Sequence, residues 1–462
     1  MAQTLIHNTT IVTADDTHTV YENAAIAIAS DRIADIGSTA DLIAKYPTAE
    51  HIDGRHHAVM PGFANMHTHL NLTLARGIFE DFSAPNASPF DAGGPRPPLP
   101  QLSDDDYRTM CLLGALEAIR SGTTLVLEDG VGIQRYAQDL HDSGLRLQLC
   151  ERAWDRANGP YGTPGPFELD PALADSGLAR FTELHTSWHN QADGRIQVGI
   201  AAWSPDMCSP DLLRSLRELQ DQLDIPTTIH LNQLWGEVAA VQEQRGVRPT
   251  EYLQQCDFLS ENLLAAHCRC MVPEEERLLS ASGAVAVFNA AIAARRGLSP
   301  RIDELETGGC TIVMGTDNMA EDMVEAMRTG MFMERVRRQD GRQPTPDQAF
   351  SWATRNGYRA LGMPDGGWLA PGNKADLILV NLHRAHLVPL VRVVSNFVHQ
   401  GQGRDIESVM VDGRWIMRDG VILTLDEDAI IENANRIGRI AWKKVFDAHP
   451  EFANLSGVAK PI

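Results

Sequence analysis

The sequence predicts an α/β protein, a (β/α)8 TIM barrel with a small β-sandwich domain formed by both termini. Short apolar runs alternate with helical stretches through the middle of the chain, and there are eight of them: 59–66, 123–128, 145–150, 196–203, 226–231, 262–267, 284–288 and 311–316. This alternation is typical of a parallel sheet with crossover helices, and eight strands close a barrel. We expect the barrel to occupy residues 59–366.

The two ends of the chain predict a second, smaller domain. β-rich runs occur at 4–13 and 24–36 and return at 375–381 and 408–417. The runs look like two halves of one β-sandwich with the barrel inserted between them. We expect residues 1–58 and 367–462 to form this domain, with a helix at the C-terminus.

Local signals place helices and loops between the strands. Ser103 with the aspartates after it suits a helix N-terminus, Ser209-Pro210 opens another helix that runs to Leu223, and a third runs from Pro346 to about Leu361. Two segments rich in proline and glycine, 84–100 and 157–166, follow the first and third strands. Composition allows either passive surface loops or lids. Because both segments follow strand ends, we favour lids.

Composition excludes several classes of protein. The 462 residues are 43% hydrophobic and 22% charged, as in ordinary globular proteins, and the formal net charge is -21. Such a charge disfavours nucleic acid and anionic membranes, so we expect a small neutral or cationic substrate. The absence of a signal-like N-terminus or a bilayer-length apolar run, together with seven scattered cysteines, predicts a cytoplasmic protein. We also expect a homo-oligomer, a dimer or larger.

Histidine and aspartate residues at the ends of the apolar runs predict a metal site. His67 and His69 are separated by one residue, so in a strand they point the same way. His230 closes the fifth run and Asp317 follows the eighth. Three imidazoles and a carboxylate suit one divalent ion, zinc first, with iron, cobalt, nickel or manganese as alternatives. The C-terminal ends of barrel strands meet at one rim, where active sites lie.

Asp317 and two residues outside that set, His267 and Gln233, are predicted to be catalytic. Asp317 is the natural group to orient a water or hydroxide and take its proton, and His267, which closes the sixth run, would polarise the scissile group. Singly, His230 and His267 could be core histidines, and Asp317 could cap a helix that starts near Glu321. The agreement among five strand-end residues favours the metal site.

At these residues the chain resembles the amidohydrolase superfamily, in the branch of cytosine and guanine deaminases, triazine chlorohydrolases, and phenylurea and molinate hydrolases. The resemblance covers nearly the whole length and rests on Pro61-Gly62-Phe63, His67-Thr68-His69, Ser121-Gly122-Thr123-Thr124, His230, His267-Cys268, Gly315-Thr316-Asp317, 369–377 and 411–413. It implies a metal-centred barrel with a β-sandwich from both termini, and one catalytic metal held by His67, His69, His230 and Asp317.

Departures from the deaminase pattern bear on the substrate. Gln233 stands where deaminases of this branch carry a proton-shuttling glutamate, and an amide cannot exchange a proton near neutral pH. Trp203 replaces a histidine and suggests an aromatic or apolar wall, and Phe288 opens a run that has lost polar residues. We expect Trp203, Phe288 and Asn318 to contact substrate. Glu237 could substitute for the missing acid, with a surface or supporting role as the alternative.

These features favour a metal-dependent hydrolase that cleaves the C–N bond of a small, fairly apolar amide, urea or carbamate-like molecule. The first alternative is a deaminase or dechlorinase of a nitrogen heterocycle, which Gln233 disfavours. The alternative from another class is a degenerate barrel that binds metal without catalysis.

Overall fold

The computed structural model of the chain describes residues 3–80, 97–159 and 161–452. The segment 84–100 therefore lies mostly outside the described residues, and its role as a lid stays a prediction. In the part of the chain that is described, no helix is both long and apolar enough to cross a bilayer.

The strands form two sheets. The N-terminal strands are β1 (Thr4–Val12), β2 (Val20–Ala29), β3 (Arg32–Ser38), β4 (Glu50–Asp53) and β5 (His57–Pro61). The central strands are β6 (Phe63–Thr68), β7 (Thr123–Gly130), β8 (Arg146–Ala153), β9 (Ile196–Ala202), β10 (Thr227–Leu231), β11 (Leu263–His267), β12 (Val285–Phe288) and β13 (Thr311–Met314). The last strands are β14 (Leu377–Asn381), β15 (Ile406–Val411), β16 (Arg414–Arg418) and β17 (Val421–Ile422).

Most helices fall between the central strands. In chain order they are α1 (Thr39–Lys45), α2 (Asp104–Arg120), α3 (Ala137–Asp142), α4 (Pro171–Trp188), α5 (Pro210–Leu223), α6 (Trp235–Arg245), α7 (Pro249–Gln255), α8 (Pro273–Ala281), α9 (Ala290–Arg296), α10 (Ile302–Thr307), α11 (Met323–Arg338), α12 (Pro346–Ala353), α13 (Arg355–Ala360), α14 (Val393–Gln400) and α15 (Glu427–Ala448). Ser103 caps α2 and Ser209 caps α5, as predicted. The predicted helix from Pro346 is divided at Thr354, whose backbone leaves the helical region.

The predicted barrel is confirmed. Strands β6 to β13 pair in sequence order and in parallel, and a parallel bridge between Thr68 and Asp317 links the last strand back to the first. Small and medium apolar side chains fill the interior, among them Met66, Leu127 and Val287. The barrel is therefore a packed core whose strand ends present side chains at one rim.

The β domain built from both termini is confirmed as well. Its sheet runs β17-β16-β15-β14-β5-β1-β2-β3, with β4 beside β1, and β14 joins the two ends by pairing antiparallel with β5. The first predicted apolar run is split between the sheets, because the chain leaves β5 and enters β6 at Gly62. A Cβ there would stand 2.2 Å from the Thr124 side chain, so only glycine fits the crossing. The expected domain limits at 58 and 366 stay predictions.

A buried ion pair fastens the terminal sheet to the barrel. Arg146, at the start of β8, donates to both carboxylate oxygens of Asp376, at 2.7 and 3.1 Å. Tyr358 of α13 donates to the same carboxylate at 2.7 Å. Separating the terminal sheet from the barrel would leave these buried charges unpaired, which is costly. The ion pair therefore holds the terminal sheet against the barrel.

Candidate metal centre

The structure brings the predicted ligand side chains together at the rim of the barrel. The Nε2 atoms of His69 and His230 are 3.2 Å apart. Asp317 Oδ1 lies 3.4 Å from His69 Nε2 and 3.8 Å from His67 Nε2. His267 joins the group, with one ligand atom each of His67, His267 and Asp317 within 4.8 Å of one another. All five side chains are buried.

Several polar atoms of this group lack a partner among the described residues. They are both ring nitrogens of His67, Nε2 of His267 and Oδ2 of Asp317. Asp129, from the end region of β7, lies beside His67, His69 and His230, and its Oδ2 is unpaired as well. Buried polar atoms are normally hydrogen-bonded, and leaving one unpaired costs about 1–3 kcal/mol. Imidazole nitrogens and carboxylate oxygens converging on one point suit a divalent cation. The residues present therefore fit the metal that the sequence predicts.

Hydrogen bonds behind the histidines orient their lone pairs. His69 Nδ1 lies 2.7 Å from the Asp129 carbonyl oxygen, and His230 Nδ1 lies 2.6 Å from the Trp203 carbonyl oxygen. A carbonyl can only accept, so each Nδ1 carries the proton and each Nε2 keeps its lone pair. Metal-bound histidines are usually held in this way by a partner behind the ring.

Burial keeps the imidazoles neutral. It lowers the pKa of His69 and of His230 to about 4, with the charge of Arg152 acting in the same direction. Burial and the neighbouring histidines lower the pKa of His67 well below its ordinary value. Neutral imidazole is the form that binds a metal, so the three rings are ready to bind at neutral pH.

Backbone strain marks the same rim. His267 has φ of 81° and Asp317 has φ of 72°, in the left-handed region that non-glycine residues rarely adopt. At Asp317 the conformation is held by backbone bonds to the first strand, since its N–H donates to His67 O at 2.9 Å and its carbonyl accepts from His69 N at 2.7 Å. Strain of this kind concentrates at functional sites.

A buried carboxyl group ties the first and last strands together. Glu321 Oε2 accepts hydrogen bonds from Asn65 Nδ2 at 3.1 Å, Thr68 Oγ1 at 2.7 Å and Thr316 Oγ1 at 2.6 Å. Burial, with the nearby charges of Glu117 and others, raises the pKa of Glu321 well above its ordinary value. We call this arrangement the Glu321 clasp; it fixes the strand ends that carry His67, His69 and Asp317.

Sequence reasoning missed a second carboxylate at the centre. Asp129 is the next-to-last residue of β7, and its Oδ2 lies 3.8 Å from His230 Nε2 while its Oδ1 accepts from Arg152 Nε at 2.8 Å. Burial opposes its ionisation, but Arg152 and the histidines hold the pKa of Asp129 below its ordinary value. The sequence pattern could have identified Asp129, because it directly follows the second apolar run, and the predicted ligands likewise lie at the ends of apolar runs.

His267 is oriented by a residue that the sequence analysis passed over. Asn289 Nδ2 lies 3.2 Å from His267 Nδ1. With Nδ1 accepting from the amide, Nε2 carries the proton and is free to donate into the site. Phe288, the neighbour of Asn289, lies elsewhere: it is fully buried among the helices, where a Cβ on Gly330 of α11 would stand 3.0 Å from its ring. We therefore leave Phe288 out of the proposed site.

Aromatic side chains flank the centre beside His230. Trp203 is half-buried, and its ring lies 5.1 Å from that of Trp154, edge to face. Tyr161, in the predicted loop 157–166, places its ring 6.5 Å from Trp203. The Arg152 guanidinium lies 5.4 Å from the Trp203 ring centre. The three rings form an apolar cluster on the Arg152 side of the centre, which we call the aromatic wall.

Gln233 and Asn318 lie next to the ligand residues. Gln233 is half-buried in the turn after β10, and Asn318 Nδ2 donates to Asp317 Oδ1 at 3.0 Å. Glu237 is fully buried, and its two oxygens accept from the backbone N–H groups of Asn232 at 2.7 Å and Gln233 at 2.8 Å. Glu237 thus holds the turn that presents Gln233. This is the supporting role that the sequence analysis gave as the alternative to a substitute acid.

Comparisons with known proteins agree with the resemblance seen in the sequence. Residues 58–416 match the family model described as "Amidohydrolase family". The chain is 31% identical to a 5'-deoxyadenosine deaminase of Methanothermobacter thermautotrophicus, over 89% of this chain and 93% of that protein. It is 30% identical to a 5-methylthioadenosine/S-adenosylhomocysteine deaminase of Syntrophus aciditrophicus, over 94% and 96%.

Solved structures share the fold. A zinc-bound adenosine deaminase from Xanthomonas campestris superposes with a TM-score of 0.83 at 23% identity, over 96% of this chain and 99% of that one. An atrazine chlorohydrolase from Arthrobacter aurescens in complex with zinc also has a TM-score of 0.83, at 19% identity, over 94% and 100%. At identities below 25%, these superpositions show a shared fold and do not identify the substrate.

Proposed function

Because the chain belongs to the amidohydrolase family, we propose that it hydrolyses the bond between a ring carbon and an amino substituent of a small aromatic nitrogen heterocycle. The chain is a metal-dependent hydrolase that acts on carbon–nitrogen bonds, as the sequence predicted. The relatives favour the predicted deaminase alternative over the leading prediction of an amide or urea substrate. The observation that carries the proposal is the aromatic wall of Trp154, Tyr161 and Trp203, whose Trp203 ring lies 5.4 Å from the Arg152 guanidinium.

One divalent ion, proposed to be zinc, would be held by His67, His69, His230 and Asp317. The ion supplies Lewis-acid activation of a water molecule, which brings the pKa of that water to about 7. The protein residues do the rest. Burial raises the pKa of Asp317 against the opposing charges of His69 and three arginines, and a bound cation would oppose that rise, so Asp317 would be the ionised carboxylate that accepts a proton. Asn318 holds this carboxylate in place.

His267 and Asp317 are the proposed proton-handling groups. Asp317 takes the proton released when the water oxygen bonds to the ring carbon. His267, oriented by Asn289, donates a hydrogen bond from Nε2 to the ring nitrogen on which negative charge develops, and keeps its proton. The C–N bond then breaks, and the amine leaves with the proton that Asp317 returns. The buried site excludes other water from this exchange.

Gln233 favours a second candidate, the amide, urea or carbamate substrate of the leading prediction. Its amide can donate and accept hydrogen bonds but cannot deliver a proton. Protonation of a ring nitrogen must then come from Asp317, whereas an amide or urea substrate needs no ring protonation.

Replacing Gln233 by glutamate distinguishes the two candidates. A positioned acid contributes about a hundred- to ten-thousandfold in rate. For a heterocyclic amine substrate, Gln233→Glu should therefore accelerate ammonia release by a large factor. For an amide or urea substrate, the added carboxylate should leave the reaction unchanged or slower. Gln254→Glu, on the exposed face of α7, makes the same chemical change away from the site.

The assay measures ammonia release from cytosine-like and triazine-like compounds and amine release from anilides and ureas, for all three proteins. A wild-type enzyme that cleaves anilides or ureas and no heterocyclic amine would overturn the first candidate. A protein that carries the metal but cleaves neither class would support the degenerate barrel.

We further propose a homo-oligomer in the reducing cytoplasm. All seven cysteines are free and buried, which suits a reducing compartment. Apolar side chains on the surface, Phe332, Val336 and Val391, are 41%, 78% and 84% exposed, as at an interface between subunits. Light scattering on the purified protein would give the mass, and a monomer at micromolar concentration would refute the oligomer.

A further inference from the structure

Arg269 is a buried cation without a partner. Its side chain is only 7% exposed, and its Nε and Nη1 atoms are buried with no hydrogen-bond partner. Among the described residues it makes no hydrogen bond or ion pair, whereas the nearby Arg248 donates to Glu275 at 2.6 Å. Buried charges in proteins are normally paired, because an unpaired one is costly. Arg269 therefore suits a ligand that supplies the missing counter-ion and hydrogen-bond acceptors.

Arg269 lies at the same end of the barrel as the proposed metal centre. It stands two residues after His267, in the turn at the C-terminal end of β11, where barrel residues face the active-site rim. Its charge acts on the centre directly: after burial it is the largest influence that lowers the pKa of His267, and it also reaches His67 and Asp317. The backbone on either side of Arg269 lies against the turn after His230, because Cys268 N–H donates to Leu231 O at 2.9 Å and Cys270 N–H donates to Asn232 O at 2.8 Å. Arg269 therefore stands on the rim where a substrate would bind.

The charges around Arg269 leave it without a counter-ion. Asp129 is already paired with Arg152 at 2.8 Å. Asp317, the other carboxylate of the two ligand groups, faces the histidines and would be neutralised further by a divalent ion. Asp129 and Asp317 balance Arg152 and Arg269, so a bound divalent ion would make the centre positive although the whole chain carries -21. The expectation of a neutral or cationic substrate, drawn from net charge, does not apply at the site itself.

We propose that Arg269 binds an anionic substituent of the substrate, best matched by a carboxylate on or beside the ring. A guanidinium group presents paired N–H donors whose spacing matches the two oxygens of a carboxylate. This inference rests on the proposed function and narrows it: the substrate class becomes an aminated heterocycle with an acidic substituent, and Arg269 becomes its specificity determinant.

The first experiment measures binding without turnover. Benzoate and benzamide are compared by calorimetry on the metal-loaded enzyme, on Arg269→Gln and on Arg277→Gln, whose parent side chain is 69% exposed on α8. Loss of a hydrogen bond to a charged group typically costs about ten- to a hundredfold in affinity. We expect Arg269→Gln to bind benzoate weaker by that factor and benzamide equally well. Arg277→Gln should match the wild type with both probes.

Two further measurements exclude a merely structural role. Because glutamine removes a buried unpaired charge, ligand-free Arg269→Gln should melt at the same temperature as the wild type or higher, with unchanged metal content. In turnover, an aminopyrimidine carboxylate should be preferred over its carboxamide by the wild type, and Arg269→Gln should reduce that ratio of kcat/KM by about ten- to a hundredfold.

The outcomes separate this inference from the proposed function. Benzoate binding that persists in Arg269→Gln and disappears when the metal is chelated would place the carboxylate on the metal and overturn the inference. Equal binding of benzoate and benzamide by the wild type, or binding of neither, would overturn it too. Benzoate binding that depends on Arg269, in an enzyme that releases ammonia from no heterocyclic amine, would support the inference and refute the proposed function.

Discussion

Replacing Glu321 with leucine tests how the barrel holds its proposed metal ligands. Leucine is close to glutamate in size but removes the acceptor of the Glu321 clasp. Thr68 and Thr316 would keep buried hydroxyl groups without their acceptor, while Asn65 would retain its bond to Thr316 Oγ1 at 2.8 Å. Each orphaned buried donor costs about 1–3 kcal/mol, so the two together should lower the free energy of unfolding by about 2–6 kcal/mol.

The same substitution should weaken metal binding. The clasp holds the ends of β6 and β13, which carry His67, His69 and Asp317, and no atom of Glu321 itself lies in either ligand group. Positioning of ligands by residues behind them typically contributes about ten- to a hundredfold in metal affinity. Urea unfolding gives the stability, and metal content after dialysis against graded chelator gives the affinity.

Glu321→Gln is the matched control. Burial raises the pKa of Glu321 well above its ordinary value, which favours the uncharged form, and the glutamine oxygen can accept the same three bonds. We expect this variant to lie within about 1 kcal/mol of the wild type and to retain its metal. If Glu321→Leu unfolds at the wild-type urea concentration and holds metal as tightly, the clasp does not position the ligands.

Three other predictions concern the centre and its surroundings. His67→Ala, His69→Ala or His230→Ala should abolish metal content and activity with the fold kept, as measured by elemental analysis and circular dichroism; full metal occupancy in any of them would remove that residue from the ligand set. His267→Asn should keep most of the metal yet lose rate, and metal lost in parallel with activity would make His267 a ligand instead. Burial raises the pKa of Glu128 from 4.5 to about 7, so the folded state binds this proton more tightly than the unfolded state. Stability should therefore fall between pH 4.5 and about 7 and then level off, by up to about 3 kcal/mol, and Glu128→Gln should flatten that part of a urea-unfolding profile; an identical slope in both proteins would contradict the assignment.

Local patterns in the sequence were sufficient for the architecture. Short apolar runs indicate strands, and capping residues indicate helix starts, within a few residues of sequence. We could therefore predict the eight barrel strands, the terminal β domain, and the helix starts at Ser103 and Ser209. Parallel strands put their C-terminal ends on one rim, which is why His67, His230 and Asp317 could be expected to converge. The first predicted run, 59–66, was wrong at its start, because an apolar stretch does not reveal that the chain passes from one sheet to the other at Gly62.

The sequence by itself determined the fold class and the strand-end residues, since both follow from local periodicity and chain order. Only the tertiary structure decided which side chains share a partner. Asn65 and Glu321 are 256 residues apart, yet closure of the barrel brings them within 3.1 Å. In the same way, the pairing of Asp129 with Arg152, which leaves Arg269 without a counter-ion, depends on the order and tilt of strands. Charge and hydrogen bonding act through space, so composition and net charge could not predict that an arginine of this acidic protein is buried without a partner.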